Sequence, residues 1–289
     1  MQYEAHELLN YVKNSQLLII NDDLRIRLSC ELFEKHKKGL YDKQLSCLKQ
    51  NIEEIKKLNI KYPANAIPIF YIYIVPPNNF KNLLKFPSNR GINGGGKSVK
   101  SYDLDSFNSA YGITSNIMER TNVTNIMSTV NNIHELSHLV HSMFFQKDRF
   151  ISEGFAETLP LYILNYESKF PQYIDCLKSL TEKQILSAKE LIKMGNDNTF
   201  DSTPLIPNTS ISFEIPYISS YLFVKGCIQE IEKKFKLHKI EAMQKFLEII
   251  KNSNYYSEWL IFDIANILEI NKEELLNKKE MQIDIIKNM

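Results

Sequence analysis

Two stretches of the chain have the residue types and spacing of a reaction centre, and they imply different chemistries. Gly91-Ile-Asn-Gly-Gly-Gly-Lys-Ser98 fits the pattern GxxxxGKS, in which backbone amides and a lysine cradle the phosphates of a nucleotide. His134-Glu-Leu-Ser-His138 fits the zinc-binding pattern HExxH. The first pattern works only where a buried strand runs straight into the loop and a helix leaves it. Here the residues before Gly91, Lys85-Phe-Pro-Ser-Asn-Arg90, are polar and proline-broken. Those after Ser98, Val-Lys-Ser-Tyr-Asp-Leu-Asp, alternate as an extended or looped segment would. The context disfavours a nucleotide pocket, and the stretch reads better as a flexible glycine loop.

The histidine pair meets its requirements. On a helix His134 and His138 project from one face a turn apart, the spacing two imidazoles need to reach one ion. Glu135 is offset by one position, too far round to be a ligand but placed to take a proton from water activated at the metal. Val130, Ile133, Leu136, Val140 and Met143 supply apolar faces for burial of that helix. A third ligand is still needed. The continuation HExxHxxGxxH is ruled out, because His141 stands at the glycine place and Phe144 at the histidine place. Downstream lies Ile151-Ser-Glu-Gly-Phe-Ala-Glu-Thr158. Ser152 reads as the N-cap of a second helix that Glu153 opens, with Glu157 one turn further on the same side. Glu153 would complete a His2Glu set with a fourth position open to water. Glu157 would accept a hydrogen bond from the far nitrogen of a ligand imidazole.

HELSH followed by SEGFAE resembles the gluzincin metallopeptidases, in which a glutamate opening a later helix is the third zinc ligand. The resemblance covers about 25 residues, and the fourteen residues between His138 and Glu153 make a short connection for that group. It implies one zinc ion per chain held by His134, His138 and Glu153, Glu135 as general base, and Glu157 supporting a ligand. It also implies a late helix carrying a tyrosine that stabilises the oxyanion. In Glu214-Ile-Pro-Tyr-Ile-Ser-Ser-Tyr that tyrosine is Tyr217, expected just before the helix, with Tyr221 in reserve and near the substrate. An edge strand upstream of the zinc helix would pair with the substrate backbone, which makes Gly94, Gly95 and Gly96 a mobile rim of a peptide cleft.

The elements that must position these residues read as follows. Residues 1–60 read as helices, most clearly in CLKQNIEEIKKLNI, where Leu48, Ile52, Ile55 and Leu58 share a face. IPIFYIYIVPP (67–77) is a strand, and a second is expected over Ser98–Leu104. A helix follows over 123–145 and another from near Ser152, which Pro160 should kink early. From about 175 the pattern is helical to the end, broken by the polar loop 195–216. The expected class is α+β and mostly helical, with a small sheet in the N-terminal half, an edge strand beside the HExxH helix and a helical C-terminal region. A single catalytic unit is expected, loosely divided into 1–60, a zinc-site core over 61–170 and 171–289.

The bulk composition removes other classes. Thirty-five Lys and Arg nearly cancel 34 Asp and Glu, so a net charge of +1 gives no electrostatic reason to expect nucleic acid or an anionic membrane. Cys30, Cys47, Cys176 and Cys227 are scattered without a CxxC pair and read as reduced, buried thiols in a reducing compartment. The N-terminal MQYEAHELLNYVKNSQLL lacks the apolar core of a signal peptide, and no stretch approaches eighteen uninterrupted apolar residues. The expectation is a cytoplasmic protein, with leaderless secretion left open, acting on a peptide or protein substrate. The oligomeric state is open. The rival readings are a non-catalytic zinc- or peptide-binding protein and, further off, a nucleotide-binding protein using Gly91–Ser98.

Overall fold

The computed structural model describes residues 13–64, 66, 69–75, 96–99, 110–114, 126–144, 148–197, 199–200, 214–253 and 257–289. The fold is α+β and mostly helical, and the chain divides into two compact units, Met1–Met143 and Phe144–Met289. Among the described residues no helix is long and apolar enough to cross a membrane.

The first unit is built on a five-stranded mixed sheet in the order β1-β2-β3-β5-β4. Its start corrects the all-helical reading of residues 1–60. β1 (Ser15–Asn21) and β2 (Leu24–Ser29) form an antiparallel hairpin turned at Asp22-Asp23, where the Asp23 amide donates to Asn21 Oδ1 at 3.2 Å. In β2, Leu24, Ile26 and Leu28 are buried while Arg25 and Arg27 between them are half-buried, which is the two-residue period of a strand. Leu32 belongs to the next element, α1 (Cys30–Lys37), whose apolar residues follow the strand without a break in the sequence. The helical reading holds for α2 (Asp42–Lys56), where Leu48, Ile52, Ile55 and the trailing Leu58 are all buried.

The predicted strand in 67–77 is β3 (Phe70–Val75), parallel to both β2 and β5 (Ala110–Thr114) and therefore inside the sheet. The outer position on the β5 side belongs to β4 (Gly96–Val99), antiparallel to β5, so the second strand begins earlier than Ser98; residues 100–104 lie outside the described part. Gly96, Lys97 and Ser98 are thus strand residues, whereas a phosphate loop needs that lysine and serine to open a helix. Gly94 and Gly95 lie outside the described residues. Helix α3 (Ile126–Ser142) packs on α2, β4 and β5.

Most helices of the second unit pack on its longest, Ile215–Phe235. In chain order the α-helices of the unit are α4 (Arg149–Thr158), α5 (Pro171–Lys178), α6 (Ala188–Asn196), α7 (Ile215–Phe235), α8 (Lys239–Asn252), α9 (Ser257–Leu268), α10 (Lys272–Asn277) and α11 (Glu280–Lys287). α7 is buried on nearly all sides from Ile218 to Ile228, as a central core helix must be. α4 begins at Arg149 behind the N-cap Asp148, so Ser152 is a residue of its first turn and not the expected cap. Pro160 acts where predicted: α4 gives way to a π-helical turn over Leu159–Ile163, closed by the Leu164 amide on Leu159 carbonyl at 2.9 Å.

The α4–α7 contact depends on Gly154. A Cβ there would lie 2.4 Å from the Ser220 carbonyl oxygen and 2.7 Å from a Val224 methyl. Alanine favours helix over glycine by about 1 kcal/mol. The obstacle, however, is backbone, which no rotamer change can move, so overpacking at the upper end of about 1–3 kcal/mol prevails and leaves a net loss of about 1–2 kcal/mol. Gly154→Ala is therefore expected to lower the melting temperature by roughly 2–8 °C. A thermal melt unchanged or raised by the substitution would show that these helices separate at little cost.

Candidate metal centre

Helix α3 presents the first two candidate ligands. Val130, Ile133, Leu136, Leu139 and Val140 recur at three- and four-residue steps and are buried, which fixes the rotation of the helix. Inside that packing Ser137 Oγ donates to the Ile133 carbonyl at 2.6 Å, so its hydroxyl is satisfied within the helix. Asn132, buried at 7% exposure, approaches Cys47 of α2. The opposite stripe carries His134, Glu135 and His138: the first two are half-buried and His138 is buried. The two imidazoles meet edge to face, with centroids 4.9 Å apart and planes at 85°. Their Nε2 atoms are 3.2 Å apart.

That distance is a fit test. Two metal–nitrogen bonds of about 2.0–2.1 Å at a tetrahedral angle hold their nitrogens roughly 3.3 Å apart. The pair therefore already has the spacing of two ligands on one ion. The third candidate is Glu153, half-buried in the middle of α4. The ligand atoms that His134, His138 and Glu153 offer all lie within 4.8 Å of one another. Two imidazoles and a carboxylate are donors that suit zinc. His141, on the same helix, is buried at 1% exposure.

On α4, Arg149, Glu153 and Glu157 recur every fourth residue. The Arg149 Nε is 3.8 Å from Glu153 Oε1, and its Nη2 donates to the Tyr217 hydroxyl at 3.4 Å. The guanidinium also lies over the Phe200 ring at 5.3 Å, and that ring meets Tyr217 edge-on at 5.3 Å. Tyr217 is half-buried and sits in the first turn of α7, not ahead of the helix as expected; Pro216 occupies a position where its missing N–H costs nothing. Arg149 was not among the expected site residues, although its four-residue spacing from Glu153 was a readable signal. Phe200 left no such signal.

Tyr221 is a correction. It is completely buried, packed edge-on against Tyr173 at 5.8 Å, and a residue at 0% exposure does not touch a substrate. Burial, then the charge of Glu167, hold its phenol well above the usual tyrosine range. Glu157 bears on the same cluster, adding its charge to the burial that raises Tyr173. Behind Tyr221 on the same stripe of α7 is Lys225, only 5% exposed, which donates to both oxygens of Glu167 at 3.0 and 2.8 Å. Burial pulls the Lys225 ammonium below its ordinary pKa, and Glu167 opposes that fall. The cysteines need one adjustment: Cys47, Cys176 and Cys227 are buried free thiols, but Cys30 is exposed.

Set against known proteins, the sequence matches no family model and no curated protein.

Proposed function

We propose that this chain is a zinc-dependent peptidase of the gluzincin kind, with His134, His138 and Glu153 holding one zinc ion. The observation that carries the reading is the pair of Nε2 atoms 3.2 Å apart on one helix, with a carboxylate donor within 4.8 Å of both. Zinc bound there would polarise a scissile carbonyl and acidify water.

The remaining steps belong to the chain. Glu135, one position round α3 from His134, takes the proton of the attacking water and hands it to the departing amine. Tyr217 donates its hydroxyl to the carbonyl oxygen as negative charge develops there. Glu157 orients a ligand imidazole through the nitrogen that faces away from the ion. The substrate backbone adds to the sheet at β4, the outer strand on the β5 side, which packs on the helix that carries the histidines. The glycine stretch then serves peptide approach, since Gly96 opens that strand.

Elemental analysis of protein purified without chelator or added metal tests this directly. The expected content is about one zinc per chain, removed by a strong chelator and restored by zinc alone. Protein that carries no zinc and takes none up on reconstitution would end the peptidase reading.

A further inference from the structure

We infer that Arg149 is a positioning residue for Tyr217, making its hydroxyl a stronger donor to the reacting carbonyl; this rests on the peptidase reading above. A chain of contacts inside the second unit supports it. Arg149 is the first residue of α4, and its Nη2 donates to the Tyr217 oxygen at 3.4 Å. The guanidinium cannot drift far from that contact. Its Cζ lies 5.3 Å from the Phe200 ring centroid, and its Nε is 3.8 Å from Glu153 Oε1. Tyr217 is equally restrained: its amide donates to Glu214 carbonyl at 3.1 Å, and its ring meets Phe200 edge-on.

The chemistry follows from the direction of the bond. An arginine is charged at every working pH, and its N–H groups only donate. A phenol that accepts from a cation has its own O–H polarised, and the second hydrogen bond in such a chain is strengthened. The proton of Tyr217 can then point at a carbonyl oxygen that becomes negative, where a stronger donor gains most. Arg149 touches no substrate in this scheme. Its effect passes wholly through the tyrosine oxygen, and this sets it apart from an arginine that serves only as the ion-pair partner of Glu153.

A double-mutant cycle separates the two roles. A quenched-fluorescent peptide library gives the best-cleaved peptide, and wild type, Arg149→Met, Tyr217→Phe and the double variant are compared on it. Zinc affinity is measured alongside by chelator competition. The expected result is a kcat lower by roughly 10- to 100-fold in Arg149→Met, with KM and zinc affinity unchanged. In the Tyr217→Phe background the same substitution should add almost nothing, and Arg149→Lys, which keeps a charged donor, should recover part of the loss. Independent, multiplying losses would overturn the inference, as would a loss of zinc affinity in Arg149→Met, because either assigns Arg149 to Glu153 alone. Wild type that binds zinc but cleaves no library peptide would overturn the peptidase reading and this inference together. Hydrolysis indifferent to Arg149 would overturn only the second.

Discussion

Glu135→Gln is expected to leave one zinc per chain in place while lowering turnover by roughly 10²- to 10⁴-fold. In free-energy terms that is about 2.7–5.5 kcal/mol of barrier, supplied by a single proton-transfer group. The glutamine keeps the size and hydrogen-bonding reach of the side chain but accepts no proton. Glu135 is half-buried on the stripe of α3 that carries both histidines, and it is not one of the three grouped ligand candidates. The substitution thus separates metal binding from proton transfer. Activity equal to wild type would mean that hydrolysis does not use this carboxylate. Loss of zinc together with activity would mean that Glu135 helps hold the ion, against its position on the helix.

His138→Ala is expected to do the reverse and abolish zinc retention. Removing a residue that merely supports a ligand already costs 10- to 100-fold in metal affinity, and losing a ligand outright should cost more than about 100-fold. Thermal stability gives a second reading of the same event. An ion present at about 100 times its Kd stabilises the folded state by about 2.7 kcal/mol. For a protein of this size that raises the melting temperature by roughly 5–10 °C. Wild type should show this rise on adding zinc and His138→Ala should not. If the variant keeps its zinc, or if zinc shifts both proteins equally, the histidines are only a polar face of α3.

The parts of the fold legible in the sequence are those written in local periodicity. Leu48, Ile52, Ile55 and Leu58 marked α2 at helical spacing, and the run Phe70–Val75 marked a strand by its aromatic and β-branched content. The hairpin β1–β2 is equally local, yet its alternation at Leu24, Ile26 and Leu28 runs straight into Leu32 and Phe33 of the following helix, which blurs the two-residue period. At the candidate site, the two histidines and Glu153 were legible because short motifs carry them. The Phe200 ring and the Lys225–Glu167 pair were not, since 58 residues separate the partners in that ion pair and only tertiary packing joins them. Gly154 could be read as a helix residue, but nothing in SEGFAE announces a backbone oxygen where its side chain would stand.

The pair between Lys225 and Glu167 bears on how α7 is allowed to turn. Tyr217, Tyr221 and Lys225 form one stripe along that helix at intervals of four, so they share a single angular setting. An apolar helix buried on every side has little to choose between rotations about its own axis, because one aliphatic surface resembles the next. An ammonium at 5% exposure has no such freedom: turned away from its carboxylate, it would be a lone charge in the interior, at about 3–5 kcal/mol. Lys225 therefore acts as a key in a keyway. It sets the azimuth of the helix, and two turns away that azimuth decides where the hydroxyl of Tyr217 points.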